Sequence, residues 1–332
     1  MTPRQLLAAI GLSALLTAPA LHAQALRDPA WNTLLEQDRH AELEAAARQR
    51  LKAEPADPQA TAALGYALLA HAQPADVDAA LPLVEACLQR HPQAGECHHM
   101  LGLVMGVQAL RAGMLKAMTM AGRIRTGFEQ GVALAPDNFN HRVGLLQYYL
   151  AAPAIAGGGV DKARELVRQT EARDAEQGRC LQAMVALSQE RFDEAERLLW
   201  PLLAAAQPAV RNAAYQQLGG MGAARLQNQQ VEPARTLFER LAQADPGRAL
   251  AVYGLARVKQ EAGALQDALR LYAQARGLRG QAGLPLDYRE ALAWLGLGDT
   301  AKARALLQRF VSAGRGHPKH LEDARERLAR LG

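Results

Sequence analysis

Apolar and small residues return along this chain in steps of four and three, and the same triplet recurs roughly every 34 residues. Ala234, Phe238 and Leu241 form one instance, closed by Pro246. Ala268/Tyr272/Ala275 and Ala303/Leu307/Phe310 follow it. Ala195/Leu199/Leu202, Ala163/Val167/Thr170, Ile124/Phe128/Gly131 with Pro136, and Ala80/Val84/Cys87 with Pro92 precede it. Steps of four and three put each triplet on one stripe of an α-helix. A second helix precedes each stripe, marked at Leu64-Gly65, Leu101-Gly102, Met221-Gly222 and Leu255-Ala256, with turn glycines at Gly158, Gly263 and Gly298. The pattern predicts seven clear helix pairs and one decayed pair at the start. A lone pair cannot bury its stripe, so successive pairs must stack. Small residues such as Ala195, Ala234 and Ala268 then permit close approach, and Phe238, Tyr272 and Leu307 fill the space between pairs.

This organisation resembles the tetratricopeptide repeat, a helix–turn–helix unit with small, aromatic and proline positions in the order seen here. The resemblance covers the chain from about Trp31 onward. It implies an all-α fold, a right-handed α-solenoid of seven to eight units over residues 24–318, with a capping helix over 319–332 rich in Arg and Glu. Two stretches exceed the period, near 103–127 and 150–159, and insertions in such arrays map to loops and often to the binding face. In the second, Pro153 stops a helix and Gly157-Gly158-Gly159 supply conformational freedom. Tyr148-Tyr149-Leu150, Ala152-Pro153 and Gly157-Gly158 followed by Lys162-Ala163 are similar to a group of secreted bacterial tetratricopeptide proteins, a likeness that implies no activity.

The family docks extended peptides or partner helices on a concave surface lined by first helices. The resemblance therefore implies a scaffold that binds a protein or peptide. Tyr148, Tyr149, Tyr253, Arg257, Tyr288 and His141 are its candidate contact residues, because Tyr and Arg dominate interface hot spots. The competing reading is that these tyrosines pack between repeats with only the hydroxyl wet. His99, His141 and Cys180 fall at matching places in successive first helices, as Tyr253 and Tyr288 do further on.

Composition sharpens the picture. The 332 residues are 49% hydrophobic but only 5% aromatic. Strong helix formers dominate, which suits helix throughout. The first residues differ: Arg4, an apolar run from Leu6 to Leu16, and Leu21-His22-Ala23 have the layout of a signal peptide spanning 1–23, so the mature chain is expected to be exported and, in a Gram-negative cell, periplasmic. No later stretch reaches the length of a membrane span, so the mature chain is not expected to insert. The formal charge of +5 is mild, and acids and bases alternate, as in Asp193-Glu194-Glu196-Arg197. That reads as a solvated face without the basic stripe of a nucleic-acid binder. Among Cys87, Cys97 and Cys180, the first two are the nearer pair for a disulfide, and buried thiols are the alternative.

Catalytic and cofactor signatures are mostly missing, so neither an enzyme nor a cofactor is expected. Gly296-Leu297-Gly298 through Ala301 nominally fits a dinucleotide fingerprint, but it joins two helices and lacks the strand that fingerprint requires. One segment carries possible ligand chemistry. Between Glu96 and Met120 lie Cys97, His98, His99 and Met100, and five of the eight methionines. Thiol, imidazole and thioether suit copper(I), so metal or small-ligand binding at Cys97–Met120 is the second functional reading. Against it, methionines also fill core gaps or present an adaptable surface to a peptide.

Overall fold

The computed structural model describes residues 26–37, 39–71, 73–314 and 316–331. The segment expected to be a signal peptide lies outside them. Seventeen α-helices stand among the described residues, and eight successive pairs account for sixteen. The pairs are α1 (Pro29–Glu36) with α2 (His40–Ala53), α3 (Pro58–Ala70) with α4 (Pro74–Arg90), α5 (Gly95–Ala112) with α6 (Met114–Leu134), and α7 (Phe139–Ala151) with α8 (Val160–Glu171). They continue as α9 (Ala175–Ser188) with α10 (Phe192–Leu199), α11 (Pro208–Gln227) with α12 (Val231–Ala244), α13 (Ala249–Glu261) with α14 (Leu265–Arg276), and α15 (Leu286–Gly296) with α16 (Thr300–Ala313). A last helix, α17 (Pro318–Arg330), follows. The chain divides into two compact units between Ala214 and Tyr215, within α11.

The two helices of a pair have different burial because they have different neighbours. First helices are covered on several sides: every residue from Ala60 to Leu68 of α3 is buried, as is Phe139 to Leu146 of α7. Second helices bury a stripe, in α8 only Ala163, Leu166, Val167 and Thr170. Asp57 accepts from the Ala60 amide at 2.7 Å and Asp174 from the Gln177 amide at 2.9 Å, so a short polar side chain starts each of these two first helices. Gly263 and Gly298 turn the chain within pairs at φ of 76° and 81°, a region glycine enters without a Cβ penalty.

The aromatic at the centre of the stripe owes its place to glycine. A Cβ on Gly102 would stand 2.8 Å from the Phe128 ring, and one on Gly144 equally close from the following first helix. In the second unit, Phe238 lies between Gly222 and Gly254, whose added Cβ atoms would meet its ring at 2.6 Å and 2.3 Å. Each phenylalanine is thus seated between the first helix of its own pair and that of the next.

The stretch near 103–127 corrects the expectation of a loop. Its extra residues lengthen α5 to 18 residues and α6 to 21, against 13 each in α3 and α7. Met, Leu, Lys and Ala favour helix, and only Gly113, at φ 80°, breaks the path. The 150–159 stretch is a true connection containing a short 3-10 turn, Ala154–Ala156. Tyr148 anchors it, its hydroxyl lying 3.0 Å from the Ala121 carbonyl of α6 and 2.6 Å from that of Ala156.

Cys87 of α4 and Cys97 of α5 form a disulfide, and Cys180 is a buried thiol. In α17, Ala324 is fully buried against a cluster with Leu307 and Phe310, while Leu321 and Leu328 are partly covered. The helix starts earlier than the composition suggests because His317 caps it, Nδ1 accepting from the Lys319 amide at 3.2 Å. Among the described residues no helix is long and apolar enough to cross a membrane.

Candidate functional site

Three places gather chemistry: the inner face of the first unit, the end of the α5–α6 hairpin, and a cationic cluster in the second unit.

The histidines matched in the sequence meet. His99 and His141 stack with centroids 4.4 Å apart, and Phe128 packs edge-on to His99. His141 Nδ1 donates to the Gly131 carbonyl at 2.8 Å, which leaves Nε2 without a proton in the neutral ring. Burial holds this imidazole below its usual pKa. At 1% exposure His141 is a core residue, not a contact for a partner. Nearby, buried Glu96 takes Arg27 at 2.6 Å and the Gln59 amide at 2.9 Å. Tyr148 is likewise buried by its anchoring role. Tyr149 is half-buried and donates to Glu129 at 3.0 Å, with Lys162 5.8 Å from its ring centre. Burial, reinforced by the Glu129 carboxylate, raises its pKa above the usual phenol range.

The four residues considered as metal ligands diverge. The Cys97 sulfur is committed to Cys87. His98 turns outward and its Nε2 meets the Pro92 carbonyl at 2.9 Å, whereas His99 faces inward against His141. Met100 is fully buried, pressed against Gly65 of the preceding first helix. Consecutive residues of a helix point about 100° apart, so a run of four cannot converge on one ion. Among the described residues no group of three His, Cys, Asp or Glu side chains is placed to hold a metal.

The methionine-rich segment has a different outcome. Arg111 reaches the Pro74 carbonyl at the start of α4, and Tyr148 reaches Ala121 from α7, so residues 112–120 run past both neighbours. At this free end Leu110 is 53%, Met114 75% and Leu115 88% exposed. Ile155, in the turn tied to α6 by Tyr148, is also exposed. Arg111 lies 4.0 Å from Asp78 and Arg123 2.8 Å from Glu85, while Lys116 has no acidic partner among the described residues. Sequence reasoning singled out this segment for its sulfur; the property that matters in three dimensions is uncovered apolar surface.

In the second unit Tyr253 and Tyr272 pack at 5.8 Å, and Tyr288 stacks on His320 of α17 at 4.6 Å. Tyr253 and Tyr288 are buried, so the packing reading of these tyrosines describes their rings. The Tyr288 hydroxyl donates to Asp323 at 2.9 Å; burial and that carboxylate push its pKa up to about 12. Arg257 and Arg289 stand among these rings. Arg257 is 8% exposed and its Nε, like that of Arg289, is buried with no acceptor. Arg289 lies over the Tyr288 ring at 5.5 Å and faces the phenols of Tyr253 and Tyr272. Burial lowers the Arg257 pKa, the charge of Arg289 adding to the effect, yet a guanidinium remains protonated at any physiological pH. Burial, with Arg289 next, holds His320 down to about 4. Arg289 and His320 were not foreseen: nothing in one sequence ties residue 320 to 257, and only the stacking of α13, α15 and α17 brings them together.

No protein-family model matches the sequence, and no curated protein does. Solved structures do. A monomeric mutant of IFIT1 with Gppp-AAAA is similar at a TM-score of 0.50 and 15% identity, over 89% of this chain and 68% of that one. The Cut9-Hcn1 hetero-tetramer of the APC/C gives 0.46 and 15% over 91% of this chain, which spans 54% of that chain. A tetratricopeptide repeat protein from Parabacteroides merdae gives 0.45 and 12% over 89% of this chain and 99% of the other. The fold is the stacked helix-pair solenoid of tetratricopeptide-repeat proteins.

Proposed function

We propose that this chain is an exported scaffold that binds a protein partner, and that it seats an apolar segment of that partner on the free end of the α5–α6 hairpin. The observation that carries the reading is the exposure of Leu110, Met114 and Leu115 together where two helices outrun their neighbours. Large apolar side chains gathered on a surface mark interaction sites. The unbranched Met114 side chain adapts to the shape it meets. Lys116, without an acidic partner among the described residues, stands at this end, so the complementary segment is apolar with an acidic residue beside it. The reading is that of a binding protein. Export is supported by the leader-like first 23 residues and by the Cys87–Cys97 disulfide, which persists in oxidising compartments.

The test places a photocrosslinking residue at exposed Ala112, and a control at exposed Gln274 of the second unit. The expected outcome is an adduct from position 112 alone, lost in a Met114→Glu/Leu115→Glu variant with unchanged helicity. The purified adduct partner should then bind the wild type and bind the variant at least about tenfold more weakly, the loss of one buried hot spot. Equal adducts from both positions, or equal binding by both proteins, would end the reading. These exposed positions suit the experiment better than Tyr253 or Arg257, whose burial would confound binding with stability.

A further inference from the structure

Unit two pairs several of its arginines with carboxylates. Arg248 pairs with Asp245 at 3.0 Å, and Arg276 with Glu290 at 2.8 Å and with Asp287. Asp287 also takes Arg309, and Asp323 takes Arg327. Arg257 and Arg289 stand apart from these pairs: Arg257 is buried and Arg289 partly buried, the Nε of each is buried with no acceptor, their charges act on one another, and among the described residues no carboxylate lies within ion-pair reach of either. Glu261 attracts Arg257 only from a distance. His320 adds no negative charge, and Asp323 is occupied by Arg327 and the Tyr288 hydroxyl.

Arg257 gives up hydration with a like charge beside it and no close carboxylate, while the phenols of Tyr253 and Tyr272 favour the charge of Arg289. The packing around them is already apolar: Tyr253 and Tyr272 share a core with Leu286, Tyr288 one with Leu307 and Phe310, and His320 stacks on Tyr288. A guanidinium fork matches the two oxygens of a carboxylate or phosphate, and burial strengthens that match by excluding water. Buried Nε groups without an acceptor are donors awaiting one.

We propose that Arg257 and Arg289, with Tyr253, Tyr288 and His320, form a binding site for an oxyanion, the carboxylate or phosphate of a ligand whose planar body lies against the tyrosine and histidine rings. The site lies wholly within the second unit and does not depend on the hairpin reading. The anion supplies the charge the fold withholds. Its oxygens accept from the two guanidinium groups, and the ring-lined walls favour an aromatic or other flat acid over a bare ion.

The full chain is titrated with benzoate and, separately, inorganic phosphate, against chloride at the same ionic strength, following the arginine Nε–Hε resonances by NMR together with the melting temperature. Either probe should shift the Arg257 and Arg289 resonances saturably and raise the melting temperature. Arg257→Gln should weaken that binding by about 10- to 100-fold, the worth of hydrogen bonds to a charged group. Exposed Arg270→Gln should leave it unchanged. A peptide ending in phenylalanine, as free acid and as amide, separates a carboxylate presented by a protein chain from a free small acid. Binding of the acid form alone assigns the site to chain ends, and binding of benzoate alone assigns it to small acids. Wild-type resonances that respond to neither benzoate nor phosphate nor the peptide acid overturn the proposal. So does a shift of equal affinity in Arg257→Gln. The wild-type titration decides the matter even if that variant fails to fold.

Discussion

At the residue scale, two histidines in different units show how burial becomes pH dependence. His141 is held below its ordinary pKa chiefly by burial, and His320 is brought to about 4 by burial and then by Arg289. In the unfolded chain both titrate near about 6.5. Above that pH neither state binds the proton. Below it the unfolded chain does and the folded chain does not, so stability falls as pH drops from about 6.5 toward about 4. Asp287 and Asp323, whose pKa values the fold lowers, lose their contribution only further down, below about 4. The midpoint of urea unfolding should therefore be lower at pH 5 than at pH 7.5. His320→Phe, which keeps the stack on Tyr288, should reduce the difference; a midpoint indifferent to pH would contradict this account. The pairing of His99 with His141 was legible in the sequence as a repeated position. What the position does was not, because periodicity tells which residues share a face and says nothing of whether that face is covered.

At the scale of the helix, the determining contact is a ring between two backbones. Gly254→Ala would bring a Cβ to 2.3 Å from the Phe238 ring. Alanine improves helix propensity by about 1 kcal/mol, while forced overpacking costs about 1–3 kcal/mol. Sterics should win, and chemical denaturation should show a net loss of up to about 2 kcal/mol. Gly106→Ala is the internal control, because nothing stands within 4 Å of its added Cβ. That variant should gain up to about 1 kcal/mol. If both variants moved the same way, the cradle would have no energetic weight. The helical period and the aromatic position were readable from spacing alone. The α5–α6 hairpin was not: extra residues in a repeat look alike whether they coil or extend two helices, and here a lone Gly113 between strong helix formers decides it.

At the scale of the molecule, the disulfide constrains one unit only. Cys87 and Cys97 are 10 residues apart in sequence and join the second helix of one pair to the first helix of the next. Closing so short a loop contributes about 3 kcal/mol by the chain-entropy relation. Stability in a linear array passes between neighbours, so the effect should fade with distance along the stack. Reduction should speed amide exchange in α4, α5 and adjacent helices while residues 249–330 keep their protection. Thiol titration of the unfolded, unreduced chain should find Cys180 alone. Acceleration spread evenly over the whole chain, or three reactive thiols, would show that the bond does not shape the protein in this way. Stacking was legible because it rests on a period; the two proposed sites were not legible as clusters, because the hairpin end depends on what fails to cover it and the arginine pair on helices far apart in sequence.

The seating of Phe128 and Phe238 also bears on how such a chain can grow. Each ring is carried by one pair and needs a glycine from that pair and another from the pair after it, so no single helix pair holds the whole cradle. A duplication cut at the turn between pairs would set a phenylalanine against a first helix lacking its glycine. A cut within a pair, between Gly102 and Phe128 or between Gly222 and Phe238, keeps the glycine that follows each ring but parts the ring from the glycine of its own first helix. The cradle therefore crosses every boundary, and a repeat spliced from another protein into this one must bring a small residue at the matching place of its first helix wherever the cut is made.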